Sequence, residues 1–186
     1  MVESLFVTAL PALFLIVLFG GGALMRRRGI DMDGTPPIDK RLYTPAKYSI
    51  LLLWGVTAAA AWGAHISFFR VPGPSRWVAL AAWTFGFLFM FAGRFGLGLS
   101  FRIGSPIEAT ALRTGGLFGM SRNPMYVGLY ATILGAVLYT LNPVVLAVAI
   151  FVIAVHHRIV LAEERFLSGA FGEGFADYCC RVRRYI

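Results

Sequence analysis

Two short stretches of this 186-residue chain hold most of the groups that could do chemistry. The first, Thr110–Gly128, reads T-A-L-R-T-G-G-L-F-G-M-S-R-N-P-M-Y-V-G and is the most polar, glycine-rich interval of an otherwise apolar chain. The second runs from His156-His157-Arg158 to Glu163-Glu164. Together they offer backbone amides and carbonyls, a tyrosine, an asparagine, an arginine and a carboxylate, a set that suits a small polar ligand. Irregular backbone beside a membrane is tolerated only where it is buried in protein or lines a cavity. The Gly115-Gly116 loop, entering an apolar helix through Asn123-Pro124, is therefore a candidate binding site. A plain linker between helices has the same composition; the charged stretch 156–164 is what separates the two readings. A glutamate on the apolar side of a helix just past a membrane span calls for a partner, because an unpaired carboxylate there is costly.

The elements that must position these groups follow from the apolar blocks. The chain is 58% hydrophobic and 14% charged, against roughly 25% charged in soluble domains. Leu5–Leu24, Ile50–Phe69, Trp77–Gly93 and Met125–Val155 contain no Asp, Glu, Lys or Arg. A span needs about 20 apolar residues, so the first three blocks predict one helix each. The fourth is too long for one and is broken at Asn142-Pro143, where Asn as cap and Pro in the first turn signal a helix start. The expected fold is an all-α integral membrane protein of five transmembrane helices, the last two a tight hairpin. Beyond the hairpin, Glu163, Phe166, Leu167, Ala170 and Phe171 recur at helical spacing and continue to Phe175 and Tyr178, which predicts an amphipathic cytoplasmic helix. Residues 1–186 form a single membrane domain: three helices over 1–99, then loop, hairpin and last helix over 100–186. The hairpin brings residues 122–126 and 156–164 to one depth.

The net charge of +8 invites a nucleic-acid partner, but its distribution excludes that reading. All of the basic residues except Arg70 and Arg76 fall in alternate loops and the tail, which is the positive-inside pattern. The N-terminus is expected outside and the 94–124 loop and the tail in the cytoplasm, with the lipid bilayer as the main partner. Leu5–Leu24 lacks the basic start of a signal peptide and reads as a retained helix. No metal site is expected: the Asp31 and Asp33 pair lacks the closing glutamate of a calcium loop, and Cys179-Cys180 has no local histidine. There is no Walker loop, no dinucleotide fingerprint after a strand and no nucleophile elbow.

In order and at spacing, the residues of the last two fifths resemble the isoprenylcysteine carboxyl methyltransferase family and its phospholipid N-methyltransferase relatives. That family's pattern is T-x-G-x-Y-x-x-x-R-H-P-x-Y-x-G, a helical hairpin, R-x-x-x-x-E-E, and a tail of F-G-x-x-Y-x-x-Y-x-x-x-V-x-R. Here it reads Thr114, Gly116, Phe118, Arg122, Asn123, Pro124, Tyr126 and Gly128, then Arg158, Glu163 and Glu164, then Phe171, Gly172, Phe175, Tyr178, Val182 and Arg184. Asn123 stands where the family has histidine, keeping a donor and an acceptor but no charge. Phe118 stands where the family has tyrosine.

The resemblance implies S-adenosylmethionine as cofactor, held without a Rossmann sheet. It implies cofactor contacts from Thr110, Ala111, Leu112 and Arg113, from Gly116, Leu117 and Phe118, from Asn123, Pro124, Met125 and Tyr126, and from Glu163. It places Arg158 and Glu163 at the reacting centre, with Arg158 and Glu164 toward the substrate, a lipophilic or membrane-delivered carboxylate, thiol or amine. Methyl transfer from a sulfonium needs an in-line nucleophile about 3 to 3.5 Å from the methyl, so no acid–base residue is assigned. Two other classes fit parts of the pattern. One is a sterol-reductase type of membrane enzyme using NADPH, and the other is a non-catalytic lipid-binding adaptor that keeps the pocket's shape.

Overall fold

The computed structural model describes residues 1–27, 29, 35–98, 101 and 111–186. Among them five α-helices occur: α1 (Val2–Arg27), α2 (Lys40–Ala61), α3 (Gly73–Leu97), α4 (Pro124–Thr140) and α5 (Pro143–Arg181). A 3-10 turn at Gly116–Gly119 precedes α4. Helices α1, α3 and α5 are long and apolar enough to cross a membrane, and α4 is apolar but shorter.

The second helix departs from expectation. Its apolar block predicted helix over Ile50–Phe69; α2 instead covers Lys40–Ala61. Asp39 starts it, its carboxylate accepting the Arg41 N–H at 2.7 Å. Gly63, at φ +96°, follows the Trp62 cap and turns the chain out of the helix. The early turns form because they are covered: Ala46, with Ile38, Leu42 and Tyr43, packs on Val155, Ile159 and Tyr126. Local hydropathy does not register that burial.

α3 and α4 are the most closely packed pair, and glycine makes the approach possible. Gly86 and Gly93 on α3, and Gly128 and Gly135 on α4, are each seven residues apart, two turns on one face. A Cβ on Gly86 would lie 2.6 Å from the Gly128 carbonyl oxygen, and one on Gly135 3.0 Å from that of Ala79. In lipid, where apolar burial supplies no drive between helices, such close packing supplies much of the association. Around this seam Trp54, Trp83, Phe87, Ile133 and Val152 form the core. Buried indoles find acceptors: Trp54 donates to Thr132 Oγ1 (3.1 Å) and Trp83 to the Val7 carbonyl (3.2 Å).

α4 ends at Leu141, which takes left-handed geometry (φ 41°). Asn142 then starts α5 as the Asn-Pro pair predicts, its Oδ1 accepting from the amides of Val144 and Val145. Its Nδ2 donates to the Ile66 carbonyl at 2.6 Å, tying this turn to the segment after α2. At the same end Glu3 accepts from Arg76 and from Tyr139, both at 2.7 Å, joining α1, α3 and α4.

No boundary separates α5 from the amphipathic segment expected beyond it. The helix runs on to Arg181, and Gly172 alone leaves helical geometry, at φ 51° and ψ −124°. After this kink Phe175, Tyr178 and Val182 are buried together against Leu112 and Leu167.

Candidate functional site

The start of α4 is built by side chains from far along the sequence. Pro124 occupies the first turn, where a missing N–H costs nothing. Asn123, just before it, gives no side-chain cap. Its amide donates to Ser121 Oγ at 3.1 Å, and its Nδ2 donates to Glu164 Oε1 at 3.0 Å and to the Arg184 carbonyl at 3.2 Å. The side chain expected to face a cofactor thus bonds within the chain.

Glu164 is the hub of this arrangement. Arg122 reaches it with Nε to Oε1 (3.2 Å) and Nη2 to Oε2 (3.4 Å), and Arg184 Nε donates to Oε2 at 2.9 Å. Only about a tenth of each side chain in the Arg122–Glu164 pair is exposed. Charge-assisted, two-pronged contacts of this kind are strong and fix orientation. Arg122 Nη1 also donates to the carbonyls of Cys179 and Val182. Both oxygens of Glu164, expected toward substrate, are engaged inside the protein.

Glu163 differs sharply from its neighbour. One residue along a helix turns about 100°, and this carboxylate faces α4, where Oε1 accepts the Tyr126 hydroxyl at 3.0 Å. Among the described residues no Lys or Arg forms an ion pair with it. Tyr126 is flanked by the His156 ring, centroids 6.2 Å apart, and by the first turns of α2. His156 is itself buried, with Nδ1 on the Val152 carbonyl.

The remaining expected residues spread around this point. Thr110 lies outside the described residues. Ala111 and Arg113 are exposed, and Leu112 packs on the helix beyond the Gly172 kink. Gly116, at φ +62°, opens the 3-10 turn, where Leu117 is half-buried and Phe118 buried. The Phe118 carbonyl accepts the Tyr178 hydroxyl, and its ring stands against Gly96, where a Cβ would lie 3.2 Å away. Met125 fills the space beside Gly93. Arg158 is exposed; five residues before Glu163, it points to another side of α5. The structure therefore gathers residues 111–126, Glu163 and Glu164 at one end of the bundle and leaves Arg158 facing outward.

The roles of Ser121, Arg122, Tyr178 and Arg184 are new with the structure. Sequence reasoning quoted the last three as motif positions without a task. The available signal was electrostatic: an arginine at the start of an apolar helix needs a carboxylate, and two adjacent glutamates on one helix cannot share a partner.

With this geometry in hand, the sequence matches the phospholipid methyltransferase family over residues 74–174, more than half of the chain. Comparison with curated proteins returns no match, nor does comparison with solved structures. The matched stretch takes in α3, the 3-10 turn, α4, and α5 past both glutamates. It is the family to which the motif residues pointed, and it lends no support to a nicotinamide reductase. The chain, with its long apolar helices, belongs to the phospholipid methyltransferase family of membrane methyltransferases.

Proposed function

We propose that this protein transfers a methyl group from S-adenosylmethionine to a lipophilic or membrane-delivered acceptor, at the cytoplasmic end of a bundle that crosses the membrane five times. The observation that carries this reading is the contrast between the two glutamates. Glu164 is matched by two guanidinium groups, whereas among the described residues Glu163 is bonded to a neutral hydroxyl and to no cation. A half-buried carboxylate without a cation favours a positively charged ligand, since leaving it uncompensated is costly. S-adenosylmethionine carries both a sulfonium and an ammonium, so the residues fit it.

Glu163 would hold that positive charge through Oε2, with Tyr126 fixing the carboxylate through Oε1. Leu117, Phe118 and the backbone of 111–116 would line the remainder, and Pro124 and Met125 would form the floor at the start of α4. Bound there, the cofactor supplies an electrophilic methyl on sulfur. The chain's own contribution is to bind, orient and exclude water, because in-line displacement asks for little besides position. An amine acceptor must arrive neutral, and a primary or secondary one sheds a proton to give the neutral product; a carboxylate or thiolate needs no base. Arg158, exposed on α5, would meet an anionic group of an acceptor arriving from the lipid.

The test is transfer of labelled methyl from S-adenosylmethionine into lipid extract by protein in vesicles. Wild type should label the extract, and Glu163→Gln should lower the rate at fixed cofactor by about tenfold or more, the loss of one charge-assisted contact. Equal labelling by both proteins would contradict the assignment of Glu163.

A further inference from the structure

The segment that follows α5 is bonded along its length to the start of α4. The Arg122 N–H donates to the Arg183 carbonyl at 2.9 Å. The Arg184 carbonyl accepts from Ser121 Oγ (3.3 Å) and Asn123 Nδ2 (3.2 Å), and the Val182 carbonyl accepts from Arg122 Nη1 (3.0 Å). Arg184 Nε returns to Glu164 at 2.9 Å. Tyr185 then meets His157 Nδ1 through its hydroxyl at 2.8 Å and sets its ring against Tyr130, centroids 5.6 Å apart. All of these residues lie beyond the matched family segment or pair with residues beyond it.

We infer that Arg184 is a positioning residue for the ligand site: through Glu164, Arg122 and Asn123 it fixes where Glu163 and Tyr126 stand. Ahead of the helix, Met120 and Ser121 donate their amides to the Leu117 carbonyl, whereas the Arg122 amide and the side chains of Ser121, Arg122 and Asn123 are satisfied by the segment 182–184. Glu164 and Glu163 are consecutive on α5. Clamping Glu164 to the start of α4 therefore sets the rotation of α5 at that level, and with it the Tyr126–Glu163 contact. Arg184 supplies one of the two guanidinium groups of the clamp and, through its own carbonyl, the acceptor for Asn123. It touches no ligand under this assignment. The role rests on the proposal that Glu163 binds the cofactor, and the experiment separates the two.

The full chain in lipid nanodiscs is compared as wild type, Arg184→Ala and Arg184→Lys, measuring hydrogen exchange at the Arg122 amide and binding of S-adenosylhomocysteine. Arg184→Ala should speed exchange at Arg122 and weaken binding by about tenfold, while amides of α3 and the middle of α4 keep wild-type protection. Arg184→Lys, which restores the charge without the fork, should recover part of both. Unchanged exchange, or changed exchange with unchanged affinity, overturns the positioning role. So does equal loss of protection throughout the chain in both variants; if Arg184→Ala alone unfolds, Arg184→Lys is judged by the same criteria. If wild type binds no adenosylhomocysteine, the cofactor assignment of Glu163 fails, and exchange at Arg122 alone decides whether Arg184 holds the start of α4.

Discussion

Adjacent residues of identical chemistry do different work here, and the difference lies in what faces them. Glu164 is neutralised by Arg122 and Arg184; Glu163, among the described residues, accepts from Tyr126 and pairs with no cation. Removing the tyrosine hydroxyl should then loosen the Glu163 carboxylate without discharging it. Tyr126→Phe is expected to weaken binding of S-adenosylmethionine by roughly five- to tenfold, read by calorimetry, about the effect of one hydrogen bond. Arg158→Ala should raise KM for an anionic acceptor and leave cofactor affinity unchanged, since Arg158 faces away from Glu163; steady-state kinetics with each substrate varied would separate the two. The need of a carboxylate at this depth for a partner was legible in the sequence. Which glutamate takes which partner was not, because that depends on helix rotation and on the segment beyond Arg181, neither of which has a local signature. Asn123 shows the same limit: its place in the motif was clear, but its two side-chain hydrogen bonds run to residues 41 and 61 positions away.

Among the elements, the α3–α4 seam is the feature on which the site most depends, since α4 begins at the site. Gly128→Val would drive a branched side chain into the Gly86 carbonyl, 2.5 Å from the Cβ position. Overpacking of this kind costs typically 1–3 kcal/mol, and chemical unfolding in detergent micelles should show a loss of that order. Gly20→Ala, with nothing within 4 Å of its Cβ position, is the control and should leave stability close to wild type. The break at Asn142-Pro143 was readable because its signals are local: a capping side chain and a proline that tolerates the first turn. The start of α2 was not. Apolar content pointed to Ile50, whereas helix begins at Lys40 because Leu42, Tyr43 and Ala46 lie against α5 and Tyr126. Likewise the continuity of α5 into the amphipathic helix expected from Glu163 onward could not be told from a separate element, since a helix that leaves the membrane and one that restarts beside it share a periodicity.

For the molecule as a whole, charge and hydropathy agree on an orientation. Among the described residues most basic side chains lie toward the end that holds Glu163, while Arg70 and Arg76 lie toward the opposite end, with the Asn142 turn and the Glu3–Arg76–Tyr139 contact. A single cysteine at position 142, in a background with Cys179 and Cys180 replaced, should react with a membrane-impermeant maleimide added outside intact cells, and one at 113 should not. The reverse pattern would invert the proposed topology. The proposed orientation would present the candidate site to a cytoplasmic cofactor and to an acceptor in the adjoining leaflet.

The most direct measurement is titration of S-adenosylmethionine into the purified full chain by calorimetry, with Glu163→Gln beside the wild type. Saturable binding to wild type, weakened by about tenfold or more in Glu163→Gln, is the expected result and corresponds to about 1.4 kcal/mol or more. Binding of equal strength to both proteins, or to neither, would contradict a cofactor site built around Glu163.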